Sequence, residues 1–182
     1  MNLFVLALKV HVPKGVKLKK LCSLFETTAD AFGTSVPDLD HLSFDECLEK
    51  YALFTQEQVE ARLRSGADMG EVRNALYLHA YGLGSELREQ LHLKSRADVL
   101  SVGRSLYRTI GIDFDGSGSG SVTIQSCFFS QFYTESVCHV MSSLDEGIAA
   151  GLSGGGKLSF LQRITEGKSC CKAVFDFRGT AE

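Results

Sequence analysis

The apolar positions of this chain change their spacing several times, and each change marks an element. Leu18, Leu21, Leu24, Phe25 and Ala29 recur at helical intervals, and Gly33 stops them. Ser43, with Glu46 three residues on, has the capping-box spacing, and Phe44, Cys47, Leu48, Tyr51 and Ala52 follow as a helix. Thr55 is placed to cap a second one ending near Arg64, where Ser65-Gly66 breaks the pattern. Val72, Leu76, His79, Ala80, Leu83, Leu87 and Leu91 form the longest stripe and predict a helix over 70–93. Gly82 and Gly84 within it each cost about 1 kcal/mol against alanine, which points to close approach of a neighbouring backbone. Ser95 caps a further helix through Arg108, with Val99, Val102, Leu106 and Ile110 inward. Ahead of all these, the apolar run from Met1 to Val12 reads as a strand ended by Pro13-Lys14-Gly15.

Beyond residue 110 the period shortens to two. Segments 111–114 and 122–129 read as strands on either side of a Gly/Ser turn. Thr134 is an N-cap with Glu135 in the first turn, and Val137, Val140, Met141, Leu144 and Ile148 put one face of the helix on a core. Ser153-Gly154-Gly155-Gly156 ends that helix. Two strands over 158–165 and 170–177 follow, joined through Glu166-Gly167-Lys168-Ser169. Along the last strand Cys171, Ala173, Phe175 and Phe177 share the apolar face, and Cys170, Lys172, Val174 and Asp176 share the other. The prediction is one α+β domain over 1–182: a mainly helical part over 1–110, then a strand–helix–hairpin part over 111–182. The second part holds four of the six cysteines.

At 182 residues, 44% hydrophobic and 23% charged, the chain can bury a sizeable core. A net charge of -3 gives no electrostatic footprint for nucleic acid, and Lys14, Lys17, Lys19 and Lys20 read as a solvated face. Met1 to Val12 lacks a basic start and a cleavage site, and falls short of the ~20 apolar residues that span a bilayer. Neither a membrane nor a nucleic acid is an expected partner, and the cytoplasm is the expected location. Six cysteines there are expected as reduced thiols. Asp113-Phe114-Asp115-Gly116-Ser117-Gly118 resembles the start of a calcium loop, but the twelfth position is Ile124 and no helical pattern follows. A hairpin turn is the better reading, and no cofactor is expected.

The candidate chemistry lies in Cys127, Cys138, Asp145 and Cys171. Cys138 and Asp145 are seven residues apart on one helix, so they share a stripe about 10 Å apart in rise. Cys127 sits on the strand before that helix, and Cys171 on a strand that could lie beneath it. Together they predict a thiol-lined pocket at the strand–helix junction. A thiolate is a nucleophile where a positive group or helix N-terminus lowers its pKa, and Cys138 lies in the first turns of its helix. His139 points about 100° away from Cys138 and is a poor base for it, though it could serve a thiol on another element. Glu146 and His139 are candidates for holding substrate. Three readings stay open: cysteines packed as small hydrophobes, catalysis by one of them with Asp145 or Glu146 orienting substrate, and metal or iron–sulfur ligation. No C-x-x-C pair supports the third.

Residues 127–175 resemble the L-2-amino-thiazoline-4-carboxylate hydrolase family and, more distantly, 4-vinyl-reductase ligand-binding domains and the TRAPP-like fold. The resemblance is carried by Cys127 after a strand, by Cys138 with Asp145-Glu146 on the helix, and by Gly167-Lys168-Ser169-Cys170-Cys171 with Phe175. Lys168 stands where the family has an acid, and Ala173 where it has an aromatic. The resemblance implies an α+β domain with a small antiparallel sheet, helices on one face and a pocket between them. In hydrolase members the implied reaction opens a cyclic C–N bond in a thiazoline carboxylate; here Cys171 or Cys138 is the expected nucleophile or ligand, with Cys127 lining the same pocket and Asp145 as acid/base or orienter. In vinyl-reductase-like members the pocket holds a small apolar or tetrapyrrole-like ligand. Members of both kinds often pair, so a homodimer is also implied.

Overall fold

The structure, a computed structural model, describes residues 14–177, and the strand expected over 1–12 lies outside them. Ser43 accepts a hydrogen bond from the Glu46 amide while Glu46 accepts one from the Ser43 amide, closing the capping box expected from their spacing. The order among the described residues is α1 (Lys14–Phe32), α2 (Phe44–Ser65), α3 (Met69–Leu91), α4 (Arg96–Thr109), β1 (Ile112–Gly116), β2 (Ser121–Cys127), α5 (Glu135–Ser153), β3 (Lys157–Gln162) and β4 (Cys171–Asp176). Short 3-10 turns at Phe128–Gln131 and Ile164–Glu166 follow β2 and β3. Helices and a small antiparallel sheet make this an α+β fold. Among the described residues no helix is long and apolar enough to cross a membrane.

The strands pair in the order β1-β2-β4-β3, antiparallel throughout. Burial alternates along β4: Cys171, Ala173 and Phe175 are inside, Lys172, Val174 and Asp176 outside. Ile112, Phe114, Val122, Ile124 and Leu158 complete the covered face, and among the described residues the helices lie on that side. The Ser117–Gly120 turn is a hairpin closed by the Ser117 amide on the Ser121 carbonyl at 2.9 Å. Only glycine fits at 120, where φ is +91° and a Cβ would sit 2.3 Å from the Phe175 carbonyl oxygen. Asp113 and Asp115 are exposed, and Asp115 pairs with Arg104 at 2.9 Å.

Several elements differ from the sequence pattern. Thr55 caps nothing: α2 runs unbroken through it, and its buried hydroxyl hydrogen-bonds the Tyr51 carbonyl at 2.9 Å and the Tyr133 hydroxyl at 2.5 Å. A threonine satisfied on the preceding turn needs no helix break. His79 is exposed, because the buried row of α3 runs through Leu76, Ala80, Gly84 and Leu87, leaving 79 about 100° off it. Phe128 and Phe129 belong to a 3-10 turn rather than to β2; Phe129 turns inward to stack on Tyr133 at 5.5 Å. Strand β3 stops at Gln162, since the Glu166 carboxylate accepts the Arg163 amide at 2.9 Å and coils the chain. Cys170 precedes β4, so the alternation does not govern it and it is buried, with the Gln162 side chain on its carbonyl at 2.9 Å.

Helices α3 and α5 approach more closely than any side chain would permit. A Cβ on Gly147 would meet the Tyr77 carbonyl oxygen at 2.3 Å, and one on Gly151 the Tyr81 carbonyl oxygen at 2.4 Å. On the facing helix, a Cβ on Gly84 would meet the Ile148 carbonyl oxygen at 2.6 Å. The close approach expected at Gly84 is therefore present, whereas Gly82 has open space around it. This contact fixes α5 across the helical layer and, with it, the side chains on its other face.

Candidate functional site

Between α1, α3, α4, α5 and the sheet lies a cavity of about 310 Å³. Its wall is mainly apolar, with Leu21, Leu83, Leu87, Val102, Leu106 and Ile148 contributed by four helices. Lys20 and Gln90 also line it and are exposed, which marks where it opens, between α1 and the end of α3. The volume falls at the lower end of the range for small-molecule sites.

Cys127, Cys138, Asp145 and Cys171, drawn from a strand end, a helix and a second strand, all border this space. Glu146 and His139 do not. Glu146 turns to Arg73 at 3.6 Å. His139 hydrogen-bonds Glu166 at 3.1 Å, beside the buried Arg163, whose Nη1 is 3.3 Å from the same carboxylate. Both residues fall outside because 139 and 146 lie one position past 138 and 145 and project about 100° away.

The electrostatics run against the thiolate expected at Cys138. Burial raises its pKa, and it outweighs the Thr165 hydroxyl and Arg163, which pull the other way. Burial likewise raises Cys171, opposed by the Ile164 amide that donates to its sulfur at 3.3 Å. Cys127 is pushed up to about 12, again chiefly by burial. All three sulfurs are thus protonated thiols at neutral pH. Among the described residues Asp145 is the one carboxyl of the wall; burial raises it to about 6, although Tyr107 donates a hydrogen bond to it at 2.7 Å. Glu146 adds to the rise.

Tyr51, Tyr107, Phe129 and Tyr133 supply aromatic wall; the sequence pattern puts Tyr51 on a helix stripe and Phe129 in a strand but assigns none of the four to the pocket. Tyr51 shares a hydrogen bond with Thr28 at 2.9 Å, and Tyr133 with Thr55. Their hydroxyls are tied back into protein, leaving ring carbon to the cavity. The signal is present in the sequence as an aromatic cluster over 128–133, but aromatic residues there favour a strand.

Metal ligation finds no support among the cysteines. Among the described residues, the group of three side chains with ligand atoms within 4.8 Å of one another is Glu135, His139 and Glu166. Arg163 already supplies positive charge there, so the cluster reads as an ion-pair network. All six cysteines are free.

No protein-family model matches the chain, and no curated protein matches it. Its fold is similar to that of a trafficking protein particle complex subunit 3 from Naegleria fowleri, solved covalently bound to palmitic acid. The two superpose with a TM-score of 0.52 at 11% identity, over 74% of this chain and 97% of that chain. At that identity the likeness is one of fold, and it agrees with the TRAPP-like architecture the C-terminal residues imply.

Proposed function

We propose that this chain is a binding domain that encloses one small, largely apolar molecule in the cavity beneath α3, α4 and α5. The observation that carries the reading is the cavity itself: about 310 Å³ bounded by aliphatic and aromatic side chains of separate elements, where close packing is the rule. Burial of that wall against a ligand supplies the affinity, at about 25 cal/mol for each Å² of apolar surface removed from water. The palmitic acid held by a protein of similar fold supports an extended apolar occupant.

A second reading keeps the hydrolase chemistry implied by the sequence resemblance. Cys138 or Cys171 would attack the ring of a thiazoline-carboxylate-like substrate, with Asp145 as acid/base and Cys127, Glu146 and His139 holding substrate. In its favour, three thiols and a carboxyl with a raised pKa border one cavity. Against it, burial keeps the thiols protonated despite the nearby Arg163, and Glu146 and His139 face elsewhere. Binding without turnover is the better supported. Pairing of two copies goes with either reading, with exposed Leu78 and Tyr81 on α3 as apolar surface to cover. A cytoplasmic setting also belongs to the proposal, supported by the free thiols.

Calorimetric titration with 1-decanol tests it. The parent protein is expected to bind one equivalent, and Leu106→Trp, which fills the cavity from α4, is expected to weaken binding at least about tenfold with the fold intact. Absence of binding by the parent, or equal binding by the variant, contradicts the proposal.

A further inference from the structure

The cavity wall is mainly apolar, and among the described residues Asp145 is the carboxylate that borders it. Asp145 borders the space with a single hydrogen-bond donor, the Tyr107 hydroxyl, while an ionised carboxylate accepts up to about four hydrogen bonds. Among the described residues no basic side chain pairs with it within 4.0 Å, and the buried Arg163 acts on it only from farther off. Lys17 and Lys20 belong to the wall, but they come from α1, where the cavity opens. Tyr107 touches Asp145, and Tyr133, Phe129 and Tyr51 border the same cavity, as do the thiols of Cys127, Cys138 and Cys171. The phenolic oxygens are engaged: Tyr107 on Asp145 itself, Tyr51 with Thr28, Tyr133 with Thr55.

A buried carboxylate with unfilled acceptor sites is costly unless something charged or hydrogen-bonding meets it. An aromatic wall beside a carboxylate is the surrounding that a cationic nitrogen favours. Ring faces attract it through their quadrupole, and the carboxylate takes its N–H groups as charge-assisted hydrogen bonds. A ligand carboxylate at the same end would be repelled, because two acids sharing a site cannot both ionise cheaply. A plain hydrocarbon would leave Asp145 facing it unsatisfied.

Resting on the reading of the cavity as a ligand site, we propose that its occupant is an apolar amine: a hydrocarbon body along the aliphatic wall, with a protonated nitrogen seated between Asp145 and the aromatic side chains. Asp145 is the specificity determinant, and Tyr107 positions it. Acidic amphiphiles would enter only with the acid group left at the mouth, near Lys17 and Lys20.

The experiment uses three probes of one chain length, decylamine, 1-decanol and decanoate, titrated calorimetrically into the parent protein and Asp145→Asn at about pH 8, where the amine is charged and Asp145 is ionised. Decylamine is expected to bind the parent at least about tenfold tighter than decanol, with that ratio falling to about one in Asp145→Asn. Decanoate, entering acid-outward, is expected to change less than about threefold between the two proteins. Equal binding of decylamine and decanol by the parent overturns this inference while the cavity reading stands. Binding of none of the three overturns both. The parent's amine-to-alcohol ratio is decisive even if the variant folds poorly.

Discussion

Gly147→Ala is expected to lower the free energy of unfolding by about 3 kcal/mol, while Gly82→Ala raises it by about 1 kcal/mol. Both glycines sit inside long helices, where alanine alone gains the propensity difference. At 82 nothing lies within 4 Å of the added methyl, so the gain is kept. At 147 the methyl would sit 2.3 Å from the Tyr77 carbonyl oxygen and 2.9 Å from the Ala80 methyl. Backbone on the facing helix cannot swing aside as a long side chain can, so α3 and α5 must separate along their shared length. That separation loosens the buried cluster in which Leu76 and Ala80 pack with Val140 and Leu144. Urea denaturation of the two variants checks the contrast. Shifts of the same sign would mean that the helices are not held by backbone contact at 147.

Asp145→Asn is expected to stabilise the protein by about 3 kcal/mol at neutral pH and to do nothing near pH 4. Burial is the main cause of the raised pKa; the Tyr107 hydrogen bond acts against it, Glu146 adds to it and Arg163 opposes it. A carboxyl raised to about 6 in the folded state keeps its proton while the unfolded chain, near 3.8, has released it. The folded protein therefore binds more protons across that window, and its stability falls as pH rises from about 4 to about 6. Above about 6 both states are ionised and the whole penalty is present. Asparagine has the same shape and never ionises, so the difference between the two proteins should open across that window and stay constant above it. Urea midpoints at several pH values give the curve directly, and a gain independent of pH would contradict the assignment. The cost fits a group kept for its ligand: a charge that destabilises the unliganded fold and is compensated when a cation arrives.

Much of the fold is legible in the sequence because the apolar spacing and the caps agree. Ser43, Ser95 and Thr134 each cap the helix their positions announce, and Gly66 and Gly154 end helices in the left-handed conformation. The buried face of β4 follows from alternation alone, and so does the placement of Cys171 under the sheet. Thr55 misleads because its residue type is shared by caps and by hydroxyls that bond to the preceding turn. Phe128 and Phe129 mislead because aromatic residues favour strands, while their actual conformation is set by packing on Tyr51 and Tyr133. The meeting of Cys127, Cys138, Asp145 and Cys171 around one cavity follows from the seven-residue spacing on α5 and the strand faces. The state of those thiols does not, since it depends on how deeply distant elements bury them. The aromatic wall beside Asp145 is hidden for the same reason: Tyr51 and Tyr107 come from α2 and α4, far away in the chain.

The most direct measurement is a crystal structure of the protein grown with 1-decanol. Continuous density is expected for one extended chain between Leu83, Leu106 and Ile148, running from the Lys20 and Gln90 opening toward Asp145. Density for decanol only on the outer surface, with ordered waters filling the space beside Asp145, would contradict it.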